Sequence, residues 1–218
     1  IWFFDNNTGY AAAGSGSGFG GTIVKTTNGG VNWVLSINTT ATAYTSIWGT
    51  DAQTVYVTQT DGKILKTTNG GVNWTESGVV TGPFMYDITF LNTNTGFVTG
   101  GGGNIYRTTN AGITWDSVGS GQNNWSLFQV KIVSASEIYA VGDPGFLYKS
   151  TDGGSTWQGL PITVSGPAIT YIWYSIDKIG STLVISGDYG IVAVSADGGN
   201  TWSSNSFLLS TALMFENK

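Results

Sequence analysis

Five near-copies of one turn sequence, spaced almost evenly along 218 residues, restrict this chain to very few architectures. The copies are Thr26-Thr-Asn-Gly-Gly-Val-Asn-Trp33, Thr67-Thr-Asn-Gly-Gly-Val-Asn-Trp74, Thr108-Thr-Asn-Ala-Gly-Ile-Thr-Trp115, Ser150-Thr-Asp-Gly-Gly-Ser-Thr-Trp157 and Ser195-Ala-Asp-Gly-Gly-Asn-Thr-Trp202. Their first residues lie 41, 41, 42 and 45 apart, the length of one four-stranded propeller blade. In each copy a hydroxyl stands two residues before Asn28, Asn69, Asn110, Asp152 or Asp197, whose short side chain can accept hydrogen bonds from the following backbone N–H groups. Gly30, Gly71, Gly112, Gly154 and Gly199 are expected at positive φ, and Trp33, Trp74, Trp115, Trp157 and Trp202 as apolar anchors opening the next strand.

This pattern resembles the Asp-box, or BNR repeat, of sialidases, sortilin-type receptors, Asp-box xyloglucanases and the photosystem II stability factor family. The resemblance covers nearly the whole chain and implies an all-β propeller of four-stranded antiparallel blades, here five, with the box between the third and fourth strands. In those families the box is a structural staple, so it carries no activity with it.

Between boxes each unit repeats a first strand, a second strand, a tight turn and a third strand. Ile1-Trp-Phe-Phe-Asp-Asn-Asn-Thr-Gly9 matches Ile88-Thr-Phe-Leu-Asn-Thr-Asn-Thr-Gly96, and Gly21, Gly62, Gly103, Gly145 and Gly190 recur before the third strands, where a positive-φ turn is expected. The chain reads as one domain, 1–218, with blade units of about 1–40, 41–81, 82–123, 124–166 and 167–211. Residues 212–218, Ala-Leu-Met-Phe-Glu-Asn-Lys, look like the start of a sixth unit and are expected to close a blade or to exchange with another molecule. The chain begins Ile1-Trp-Phe-Phe4, without Met, and so reads as a processed or excised segment.

Composition narrows the functional classes. A net charge of −5 and 10% charged residues disfavour nucleic acid and anionic membranes as partners, and no run is apolar enough to span a bilayer. With neither Cys nor His, disulfides, thiolate or imidazole metal sites and Ser-His or Cys-His nucleophiles are excluded. No cofactor and no metal is expected. The three-arginine clamp of a sialidase cannot be built, because Arg107 is the sole Arg. Arg107 also shares a repeat position with Lys25, Lys66 and Lys149, one residue before each box, and so reads as scaffold, its alternative being a basic ring on the box face. The photosystem II stability factor family presents a basic arginine patch to its partner, from which this chain departs.

The remaining candidates fall in the connections that vary between units. In a propeller these share a face with the turns between second and third strands, opposite the boxes, so a ligand site is expected from Asp61, Phe84, Trp125, Asp143, Asp188 and Tyr189. Glycosidic cleavage by Asp87, Asp143 and Asp188 is the enzymatic alternative, since it needs two carboxyls at a fixed separation. Asp in a Gly-rich turn, as in Gly142-Asp-Pro-Gly145 and Gly187-Asp-Tyr-Gly190, is ordinarily there for its turn chemistry. Trp2, Trp48 and Trp173 are expected in the core, whereas Trp125 beside Asn124 has the makeup of a sugar platform. Asn6, Asn38, Asn73 and Asn124 head Asn-x-Ser/Thr triplets.

The reading reached from sequence is a non-enzymatic binding or structural module with a protein or glycan partner, possible self-association through its terminal strand, and an extracellular or cell-surface location like that of exported bacterial repeat proteins. An assembly-factor propeller is a further alternative.

Overall fold

The computed structural model describes residues 1–15, 19–39, 42–80, 82, 84–119, 125–164 and 171–206. They form five antiparallel sheets, each of four strands in sequence order. Blade 1 holds β1 (Trp2–Phe3), β2 (Gly9–Ser15), β3 (Phe19–Thr26) and β4 (Val34–Asn38). Blade 2 holds β5 (Tyr44–Gly49), β6 (Val55–Gln59), β7 (Ile64–Thr67) and β8 (Thr75–Glu76). Blade 3 is β9 (Met85–Phe90), β10 (Gly96–Gly100), β11 (Ile105–Thr108) and β12 (Asp116–Ser117). Blade 4 is β13 (Leu127–Ile132), β14 (Ile138–Gly142), β15 (Phe146–Ser150) and β16 (Gln158–Pro161). Blade 5 is β17 (Trp173–Ile179), β18 (Thr182–Gly187), β19 (Ile191–Ser195) and β20 (Ser203–Ser206). Residues 212–218, with the expected terminal strand, lie outside the described residues, as does Asn124.

Each box folds as its sequence dictates. In blade 1 the Thr26 hydroxyl accepts the Gly30 N–H at 2.9 Å and donates to Asn28 Oδ1 at 3.0 Å, while Asn28 Oδ1 accepts the Asn32 N–H at 2.9 Å. The same three bonds recur around Thr67, Thr108, Ser150 and Ser195. In the last two boxes Asp also accepts the Thr156 or Thr201 hydroxyl, and these contacts hold the carboxyls of Asp152 and Asp197 down at about 2. The five box glycines take φ between 75° and 98°, as expected. The second-to-third-strand turns behave likewise at Gly62, Gly103, Gly145 and Gly190, but Gly21 does not reach positive φ. There the requirement is space: a Cβ on Gly21 would collide with the ring of Tyr44.

An aromatic–cation pair repeats at one register position in four blades, and in the first three it staples the blade to the next. An aromatic on the second strand pairs with a cation on the third: Tyr10 with Lys25, Tyr56 with Lys66, Phe97 with Arg107 and Tyr139 with Lys149. Each cation lies 5.1 to 6.0 Å from its ring centroid. Lys25 and Lys66 then donate to Gly70 O and Ala111 O of the following blade, at 2.9 and 2.8 Å, and Arg107 reaches Ser155. The basic ring is thus spent on the scaffold. In blade 5 the position is held by Val184 and Val194, so no such staple leaves that blade.

The first strands pack in order, β1 on β5, β5 on β9, β9 on β13 and β13 on β17, beside an axial cavity of about 350 Å³ lined by Trp2, Ser46, Trp48, Asp87, Gln129 and Lys131 among others. Trp173 is fully buried, whereas Trp2 and Trp48 are half-buried, each packed on a core cluster while facing this cavity. Around the axis, Ser46 Oγ donates to Asp87 at 2.8 Å, the Val130 N–H donates to Asp87 at 3.0 Å, and the Ile176 N–H donates to Gln129 at 2.6 Å. Asp87 thereby ties blades 2, 3 and 4, and burial pushes its carboxyl up to about 6 against the pull of those bonds.

Candidate functional site

The boxes and the first-to-second-strand turns occupy one face, joined by bonds such as Gly29 N to Asn7 O and Gly153 N to Ser136 O. The opposite rim is built from the variable connections and the second-to-third-strand turns. Its own bonds run from Thr60 N to Ala43 O, from Gly101 N to Phe84 O, from Gly103 N to Trp125 O, from Asp143 N to Ser126 O and from Asp188 N to Ile172 O. These hold the turns of blades 2 to 5 against the entry of the same or the next first strand. Side chains on the rim are therefore presented by rigid elements although they sit in loops.

Above the axial cavity the rim carries a row of rings. Tyr86, Phe128 and Tyr174 stand at equivalent places on β9, β13 and β17, with centroids 4.9 Å apart from Tyr86 to Phe128 and 5.3 Å from Phe128 to Tyr174, all tilted. The row begins half-buried at Tyr86 and ends 48% exposed at Tyr174. In blade 2 the equivalent residue is Thr45, whose hydroxyl donates to Met85 O, so the row stops there.

Asp143, Asp188 and Tyr189 converge at the outer end of this row. The Tyr174 hydroxyl donates to Asp188 Oδ1 at 2.8 Å, and the Ile172 N–H donates to Asp188 Oδ2 at 3.3 Å. That bond and the nearby charges of Asp188 and Asp143 raise the Tyr174 phenol. Burial, then the Asp188 charge, raises the Asp143 carboxyl. Tyr189 is 67% exposed in a left-handed backbone, φ 56°, where blade 3 has Gly102. Phe84 and Trp125 are exposed elsewhere on the rim, and Asp61 caps its own turn by accepting the Lys63 N–H. Asp87 lies apart from the acid pair, in the cavity wall. Among the described residues no three acidic side chains converge as metal ligands.

The sequence reading overlooked Tyr86, Phe128 and Tyr174. Their signal was present: each sits two residues before the buried Ile88, Val130 or Ile176 of its first strand, but the shorter β17–β18 connection brings Tyr174 one residue nearer its box than Tyr86 and Phe128 are to theirs.

Fold and boxes together define an Asp-box β-propeller. The model of the photosynthesis system II assembly factor YCF48 family matches residues 72–207, and the chain belongs to that family. Solved structures agree at the level of the fold. A YCF48 bound to a D1 peptide is 18% identical with a TM-score of 0.60, the match covering 93% of this chain and 78% of that one. YCF48 from Cyanidioschyzon merolae is 20% identical with a TM-score of 0.59, covering 78% and 62%. The GH74 xyloglucanase of Xanthomonas campestris is 15% identical with a TM-score of 0.71, covering 92% of this chain and 36% of the enzyme. No curated protein matches. The expected extracellular or cell-surface location is corrected by these findings, since the family and its solved members are named for photosystem II assembly rather than for exported surface proteins.

Proposed function

We propose that this propeller is a non-enzymatic assembly module that holds a peptide segment of a client protein across its rim. The observation that carries the reading is the ring row of Tyr86, Phe128 and Tyr174, which bridges three blades and ends in open solvent. Aromatic side chains give a bound segment a large contact area at little entropic cost, and such rings are enriched at interfaces. A family described as an assembly factor, with one solved relative bound to a peptide, supports the reading.

Peptide and glycan arrays probed side by side with the protein and with Tyr174→Ala test it. Peptide ligands that weaken in the variant are the expected result. Ligands confined to glycans, or peptide binding indifferent to Tyr174, would overturn it.

Glycoside hydrolysis at Asp143 and Asp188 is the competing reading, favoured by the proximity of the two carboxyls and by the GH74 fold likeness. Asp87 cannot join them as a third acid, because Ser46 and Val130 hold it in the axial wall. Xyloglucan turnover abolished by Asp143→Asn would establish this reading instead.

A further inference from the structure

Charge on this molecule is distributed unevenly between its two ends. Lys131 pairs with Asp177, and Lys149 and Lys178 with Glu137, all towards the box face. Lys25, Lys66 and Arg107 are held in the staples between blades. On the rim side Lys63 is bound to Glu76 on the outer strand of blade 2. These are all the Lys and Arg of the described residues, and none of them neutralises the acids at the end of the ring row.

The Asp143 carboxylate has neither a hydrogen-bond donor nor a cation partner among the described residues, and a second carboxylate stands close enough to disfavour its charge. A half-buried carboxylate without compensation is costly, and a cation placed between the two acids would relieve both the burial and the repulsion. The Tyr174 hydroxyl bonds Asp188, and the Phe128 ring packs 5.3 Å from the Tyr174 ring, so aromatic surface borders the acids. Aromatic faces attract cations, best where water is partly excluded.

We propose that the rim over blades 4 and 5 seats a basic side chain, Arg or Lys, of the client peptide, stacked on the Phe128 and Tyr174 rings with its charge between Asp143 and Asp188. The inference rests on the peptide-holding reading above and adds the chemistry of the residue that is held. The planar guanidinium can stack on a ring while two of its N–H groups face carboxylates, so Arg binds more tightly than Lys. The rim is thus opposite in sign to a basic patch and selects clients of opposite charge.

Fluorescence anisotropy with labelled Ser/Gly peptides carrying spaced arginines, lysines or glutamates, at low and high salt, tests this. The arginine peptide should bind, more weakly at high salt, and Asp143→Asn and Asp188→Asn should each weaken it about fivefold. Asp188→Asn removes the charge while its amide oxygen can still accept the Ile172 N–H and its amide N–H can donate to the Tyr174 hydroxyl, so it stands in should Asp143→Asn fail to fold. Asp116→Asn, an exposed acid on β12, should change nothing. Equal binding of the glutamate peptide, or arginine-peptide binding indifferent to both rim substitutions, overturns the proposal. If glutamate or uncharged peptides bind and Tyr174→Ala weakens them, the rim still holds peptides and only the basic specificity fails. If no peptide binds, or binding ignores Tyr174→Ala, both fail.

Discussion

Lys66 donates from Nζ to the carbonyl oxygen of Ala111, 2.8 Å away, and so ties the third strand of blade 2 to the box of blade 3. The Tyr56 hydroxyl donates to the same oxygen at 2.9 Å, and the ammonium lies 5.1 Å from the Tyr56 ring. A charged donor to a carbonyl and a cation–π contact together are worth about 1 to 2 kcal/mol here. Lys66→Met, which keeps the stem and removes the charge, should lower stability by that amount in denaturant titration without altering binding at the rim. An unchanged midpoint would show that the staple is incidental.

Ala111 itself holds φ 57°, where the other four boxes have Gly29, Gly70, Gly153 and Gly198. The left-handed region costs an L-residue about 1 kcal/mol, part of which Gly returns through its freer unfolded chain. Ala111→Gly should therefore raise stability by about 0.5 kcal/mol, visible as a small increase in Tm. A decrease would mean that the methyl group packs more than it strains.

Box tryptophans should govern stability and not binding. Trp74 packs on the cluster of Tyr10, Ile23 and Val57 and donates to Ser36 Oγ across the blade boundary, and Trp157 packs edge-on against Phe97. Trp74→Ala and Trp157→Ala should each cost about 3 kcal/mol by leaving a cavity. A variant that kept its Tm while losing a ligand would move the binding site to the box face.

Acid titration should show two opposed contributions. Asp152 and Asp197 are held at about 2 in the folded protein against about 4 unfolded, so their contribution is present above pH 4 and fades as pH falls towards 2. Asp87 sits at about 6 when folded, so its contribution is present below pH 4 and is lost as pH rises through 6. Asp152→Asn should flatten the acid limb of a stability-against-pH curve, and Asp87→Asn should flatten the region between pH 4 and 6. Curves for the two variants that parallel the parent would contradict these assignments.

The scaffold was readable because the box is local: Thr26, Asn28, Gly30 and Asn32 satisfy one another within a single turn, and sequence spacing alone carries that. The two-face layout followed from repeat order, which is why Asp143, Asp188 and Tyr189 could be singled out before they were seen to converge. Other features depend on which blades meet. Gly21 yields to Tyr44 of the next blade, and Lys25 finds Gly70 forty-five residues away. The ring row needs three strands brought side by side, so none of Tyr86, Phe128 and Tyr174 stands out alone. Location was misjudged because low charge and Asn/Thr/Gly richness follow from the turn chemistry of the fold, whatever compartment holds it.

On the proposed function the rim, and not the box face, holds the peptide. Hydrogen–deuterium exchange of the protein with and without the strongest peptide ligand from the array tests it most directly. Exchange should slow in the turns around Trp125–Ser126, Asp143–Gly145, Tyr171–Ile172 and Asp188–Gly190, with the five boxes unchanged. Protection confined to the boxes or to the outer strands β4, β8, β12, β16 and β20 would contradict it.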